Sequence, residues 1–126
     1  GDLFAAGFLH GHVNNLSMKE SLEKDYFSLV RRLEESSRLG GIMGILHWDQ
    51  EVIMPVGASE SRAQQIGTLA GVLHEKTTHP EMGKLLDELS KADENGFTAF
   101  EWCNILEAHR EFHMDIESFS CASRLF

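Results

Sequence analysis

Several groups of residues have types and spacings that could carry chemistry. His109-Arg-Glu-Phe-His113 places two imidazoles at i and i+4, on one face of a helix, where a metal ion can bridge them. Zinc peptidases use His-Glu-x-x-His, in which the glutamate directly after the first histidine is the general base. Here Arg110 holds that place and Glu111 comes one residue later, about 100° further round the helix. An arginine there opposes a cation, and spacing marks no third ligand, so two ordinary helix histidines and no metal are expected. His74-Glu75-Lys-Thr-Thr-His79 opens like the same motif, but its histidines stand at i and i+5 and share no face. His47-Trp48-Asp49-Gln50-Glu51 offers two carboxylates for acid and base work. Residues one or two apart on a helix diverge, however, so the cluster reads as the structural end of a helix, with Asp49 or Gln50 bonding backbone. Gly40-Gly41-x-x-Gly44 lacks the preceding strand and the spacing of a phosphate loop. Cys103 reads as a small buried hydrophobe, and Phe97, Phe100, Trp102 and Phe112 read as core. No catalytic and no metal-binding residue is assigned on this basis.

Composition narrows the class of partner. The chain has 126 residues, one domain's worth, with 42% hydrophobic and 25% charged residues, the balance of a globular protein. Eleven Lys and Arg stand against twenty Asp and Glu, a net charge of −9. That surface repels phosphate backbones and anionic bilayers, so nucleic acid and membrane are excluded as partners. No apolar run approaches the ~20 residues of a membrane span. Two cysteines, Cys103 and Cys121, make no disulfide framework. The expected location is cytoplasmic, with an organelle as the alternative because the chain begins at Gly1 rather than Met.

The elements that must position these residues are helices. Ser17-Met-Lys-Glu20 has capping-box spacing, and Leu22, Tyr26, Leu29, Val30 and Leu33 follow at helical intervals. The pattern continues through Leu39, Ile42, Met43 and Leu46. Gly40, Gly41 and Gly44 each cost a helix about 1 kcal/mol, so they imply close helix–helix approach or a break near Gly40. Pro55 ends this helix before Met54. A second helix runs from about Ser59 to Thr77, and a third carries Met82, Leu85, Leu86 and Leu89 behind the box Thr78-His-Pro-Glu81. Asn95-Gly96 is a turn, and Thr98-Ala-Phe-Glu101 caps a fourth helix reaching Ile116. The expected fold is all-α, about four helices in antiparallel hairpins. Residues 1–16 are expected as a poorly ordered lead, 17–117 as the helical domain, and 118–126 as a divergent Ser-rich tail.

The segment from Leu46 to Pro55 then carries a resemblance. Trp48, Asp49, Gln50, Glu51, Met54 and Pro55, followed by Gly57-Ala58, Ser61-Arg62-Ala63, Leu69-Ala70 and Leu73-His74-Glu75, resemble the N-terminal region of the M32, or carboxypeptidase Taq-like, zinc carboxypeptidases. His79-Pro80-Glu81-Met82-Gly83 and Glu101-Trp102-x-Asn104-Ile105-x-Glu107-Ala108-x-Arg110 look like the same family. The resemblance runs from about Leu22 to Met114. It implies an all-helical zinc enzyme that removes C-terminal residues from peptides. It also implies that the metal and catalytic residues, a His-Glu-x-x-His helix and a downstream glutamate, lie beyond this chain. No catalytic or metal role is thus carried onto it, and Trp48, Asp49, Gln50, Glu51, Met54, Pro55, His74 and Glu75 are expected to be structural. Trp48 in particular is expected to be buried beside Pro55 and the second helix.

Three functional readings follow. The first is a non-catalytic N-terminal piece of an M32-type carboxypeptidase, with the divergent tail marking a truncation. The alternative is a stand-alone interaction module derived from that family. The third is a small metal-binding protein using His109 and His113. A homodimer or another protein partner is expected through the apolar segment 39–54.

Overall fold

The computed structural model describes the backbone of residues 2–92 and 94–124, and the side chains of residues 17–92, 94 and 96–117. Among the described residues there are four α-helices: α1 (Asp2–Val52), α2 (Ser59–Thr77), α3 (Pro80–Lys91) and α4 (Ala99–Arg124), with 3₁₀ turns at Val56–Ala58 and Glu94–Gly96. The all-α expectation holds. α1 includes residues 2–16, whose side chains lie outside the described residues, as do those of 118–126. Ser17 therefore sits within the helix and does not cap it.

Helix ends follow local chemistry. At the end of α1 the Asp49 carbonyl accepts from the backbone N–H of both Ile53 (3.0 Å) and Met54 (2.9 Å). Pro55 holds the extended conformation that turns the chain into α2. α2 closes on the His74 carbonyl, which accepts from the Thr78 N–H (3.0 Å) and from the Thr78 hydroxyl (2.7 Å). Thr78 thus finishes α2 and does not open α3. The N-cap of α3 is His79, whose Nδ1 accepts from the Glu81 N–H at 3.2 Å. The shift by one residue follows from Pro80 at the first helical position, which forces its predecessor into extended backbone. The Thr98–Glu101 box does form: Thr98 N–H donates to Glu101 Oε2 (2.8 Å) and Glu101 N–H donates to Thr98 Oγ1 (3.2 Å).

The core lies where α1, α3 and α4 meet. Leu29, Met82, Leu86, Leu89, Ile105 and Ala108 are buried, and Leu22, Tyr26, Leu33, Phe97, Trp102 and Phe112 pack around them. α3 contributes through positions 82, 86 and 89, and α4 through 105, 108 and 112, both at helical intervals. α3 runs antiparallel to α4. Gly83 makes this close approach possible, because a Cβ there would stand 3.0 Å from Cζ of Phe112. Phe100 and Cys103 are corrections: Phe100 is 75% exposed and Cys103 is exposed. Taking Ile105 as the inward direction, Phe100 lies about 140° and Cys103 about 160° away around α4.

α1 and α2 form an antiparallel hairpin that extends from this core. Lys76 Nζ donates to Glu35 Oε1 (2.8 Å) near one end, and Arg62 reaches Leu46 and Asp49 near the other. α2 buries no side chain fully. Gly40, Gly41 and Gly44 neither break α1 nor touch a neighbour, and a Cβ built on any of them meets nothing within 4 Å.

Leu89→Ala should lower stability by about 2–5 kcal/mol, whereas Phe100→Ala should stay within about 0.5 kcal/mol of the parent. Urea unfolding followed by circular dichroism separates the two, and equal losses would contradict this placement of the core. The hydrogen bond and charge of Lys76 hold the Glu35 carboxyl below the usual carboxylate range. The stabilisation from this pair is therefore complete above the ordinary glutamate pKa and is lost as pH falls through the lowered one. Carboxyl NMR titration should show Glu35 returning to the ordinary range in Lys76→Met.

Candidate functional site

The residues at the turn of the hairpin are organised by one cation. Arg62 projects from the first turns of α2 back toward the last turns of α1. Its Nη1 donates to the Leu46 carbonyl (2.9 Å) and its Nη2 pairs with Asp49 Oδ2 (2.6 Å). The Arg62 side chain is only 16% exposed and that of Asp49 32%. Charge-assisted bonds in such a half-excluded setting are stronger than surface pairs. The same guanidinium adds a second donor to a carbonyl that lies within α1, fastening α2 to the backbone as well as to a side chain. Asp49 thus serves twice, its carbonyl capping the helix end and its carboxylate holding Arg62.

The neighbouring residues do not converge on a reaction centre. Trp48 is 58% exposed, a correction to the expected burial. The side of α1 that faces α2 carries the half-buried Met43, Leu46 and Asp49, and Trp48 lies about 100° round from Asp49. Gln50 and Glu51 are exposed, Met54 is half-buried, and Pro55 is exposed with its carbonyl accepting from Ala58 N–H at 2.9 Å. His74 is half-buried and Glu75 exposed, at the far end of α2. Twelve residues of helix separate Arg62 from His74, about 18 Å. The two halves of the motif therefore stand at opposite ends of the hairpin.

A second cluster straddles α3 and α4. His109 Nε2 lies 3.3 Å from His113 Nε2 and 3.5 Å from Asp87 Oδ1. The donor atoms of all three residues fall within 4.8 Å of one another. His109 is half-buried, Asp87 and His113 exposed. Arg110 is turned aside to pair with Glu107, and this contact raises its pKa. Spacing within α4 exposes the histidine pair, but nothing in the sequence marks Asp87, which comes from another helix.

Comparison with known proteins bears directly on these residues. The family model of the carboxypeptidase Taq (M32) metallopeptidases matches residues 28–119, from within α1 to within α4. The chain belongs to the M32 metallopeptidase family. It is 31% identical over 67 residues to thermostable carboxypeptidase 1 of Thermus thermophilus and 33% identical over 67 residues to carboxypeptidase 1 of Bacillus subtilis. Each alignment covers 53% of this chain and 13% of the relative, so the chain spans a small part of the curated M32 proteins it matches. A solved structure, "The Structure of CHT", superposes with a TM-score of 0.68 at 30% identity, over 71% of this chain and 18% of the other. The M32 match thus includes the hairpin and the three-helix core together.

The described residues do not fit a catalytic M32 metal set as the family resemblance implies it. The histidine pair of α4 has Arg110, engaged with Glu107, in the place of the general base. In this M32 chain the Trp48–Pro55 segment is a helix terminus locked by Arg62. Arg62→Met and Asp49→Asn should each cost about 1–3 kcal/mol, with non-additive losses in the double variant. Measured on the monomer, Trp48→Ala should change stability by less than about 0.5 kcal/mol. Urea unfolding of the four variants tests this, and fully additive losses at 49 and 62 would show that the two side chains do not act together.

Proposed function

We propose that this chain is a non-catalytic helical part of an M32-type carboxypeptidase, a cover that packs on a larger body. The activity of the assembled protein is then the removal of C-terminal residues from peptides. One observation carries the reading. The hairpin is only two helices thick, and the outward side of its most family-like segment is apolar. Ile42, Ile45, Trp48, Val52, Ile53 and Val56 are 50–94% exposed, although α1 ends in a defined ion pair and turn. Contiguous exposed apolar area of this kind marks an interface. The open space over Gly40, Gly41 and Gly44 fits close packing by a further helix. The long helix, the ion pair at Arg62 and the absence of converging side chains all agree with a structural role for the motif.

In isolation the uncovered face is expected to pair with a second copy through segment 39–54, two-fold pairing being the commonest closed arrangement. The net charge of −9 opposes association, yet exposed charges are screened beyond a Debye length of about 8 Å at physiological salt.

The purified chain should release no C-terminal amino acid from a blocked dipeptide, with or without added zinc. Light scattering should give a mass above that of the monomer, and a hydrophobic dye should bind when dimerisation is blocked by Ile45→Glu. Chelator-sensitive hydrolysis would refute the non-catalytic reading. A monomer that binds no dye would refute the cover.

A further inference from the structure

We propose that Asp87, His109 and His113 form a binding site for one divalent transition-metal ion of the zinc class, clamping α3 to α4. The site is independent of the cover reading, since it lies on the core and away from the hairpin.

The donor set selects the metal. Two imidazole nitrogens and one carboxylate oxygen suit zinc, cobalt, nickel or copper, and poorly suit magnesium or calcium, which take oxygen. Two of the three donor separations also agree. Zinc binds such donors at about 2.0–2.2 Å in a tetrahedron, which sets donor atoms roughly 3.3–3.6 Å apart. His109 Nε2 stands 3.3 Å from His113 Nε2 and 3.5 Å from Asp87 Oδ1. His109 is the shared neighbour of both, and because Asp87 and His113 are exposed, a metal held here would take its further ligand from water.

The fold keeps these atoms together. Asp87 follows Leu86, and His109 follows Ala108, two residues buried in the α3–α4 seam. The seam's packing therefore sets the distance between the two helices at the level of the site. One turn along, the Phe112 ring lies against Gly83, which is on the same face of α3 as Asp87. His113 meets Phe112 edge-on with centroids 5.9 Å apart, and its ring packs 4.5 Å from that of His109. The arginine that the sequence puts beside His109 does not oppose a cation here, because Glu107 holds its guanidinium. Asp87 brings the negative charge that two neutral imidazoles lack.

Zinc titration of the 126-residue chain by calorimetry, with the imidazole signals of His109 and His113 followed by NMR, tests the site. One equivalent should bind saturably and shift both imidazoles, and the melting temperature should rise with zinc concentration. His113→Ala and Asp87→Asn should each weaken binding by about tenfold or more, and both side chains are exposed, so circular dichroism should remain that of the parent. The chain has seven histidines, and binding that survives His113→Ala would belong to the others. Loss in His113→Ala with none in Asp87→Asn would mean an adventitious histidine pair without the α3–α4 clamp. Either result, or no saturable binding, overturns the proposal.

Discussion

Leu29, Leu86, Leu89 and Ile105 come from three helices and exclude water from one another almost completely. Each such side chain contributes about 1.5–3 kcal/mol by leaving water. Three helices of very different length can share this small cluster only if α3 and α4 pack side by side on α1. Gly83 allows the necessary closeness by yielding its side-chain volume to Phe112. The pairing of Tyr26 with Asn104 (3.3 Å) and the ion pair of Arg32 with Glu81 then tie α4 and α3 to the outer edges of the same stretch of α1. The α1–α2 hairpin and the histidine cluster both inherit their positions from this contact.

The hairpin obeys a different balance. It has no fully buried side chain in α2, so hydrophobic burial alone holds it weakly. Its two ends are fastened by polar contacts, Lys76 to Glu35 and Arg62 to Asp49 and Leu46. The second is the more enclosed and therefore the stronger. A hairpin built this way keeps its own geometry while leaving an apolar side for something else. Within the motif Asp49 holds the turn through its carbonyl and through Arg62, while Trp48, Val52 and Ile53 face outward.

The histidine cluster sits on the outer side of the α3–α4 seam, away from the hairpin. It is near enough to the core for its helices to be fixed, and exposed enough for ions and water to reach it. His109 stands beside both His113 (3.3 Å) and Asp87 (3.5 Å), so the three side chains form one cluster across α3 and α4.

Much of the architecture was legible from local chemistry. The helical class, the end of α1 before Met54, the span of α2 and the box at Thr98 depend on residues within one or two turns of each other, and periodicity and capping encode such ranges directly. The apolar spacing also identified the buried set of α3. Where the reading of burial failed, the missing quantity was the location of another helix. Trp48, Phe100 and Cys103 were assigned to the interior by residue type, but among the described residues their faces of α1 and α4 are exposed. The glycines of α1 implied a neighbour, yet none approaches them. Ser17 and Thr78 had cap spacing, but a continuing helix and a following proline decided their roles. Arg62 and Asp87 could not have been paired with Asp49 and His109 from spacing, because each pair joins two helices. By itself the sequence determined the elements and, through its motif, the family. Only the tertiary structure decided which faces are covered and which charges meet, because burial and ion pairing depend on distances between helices that local sequence does not specify.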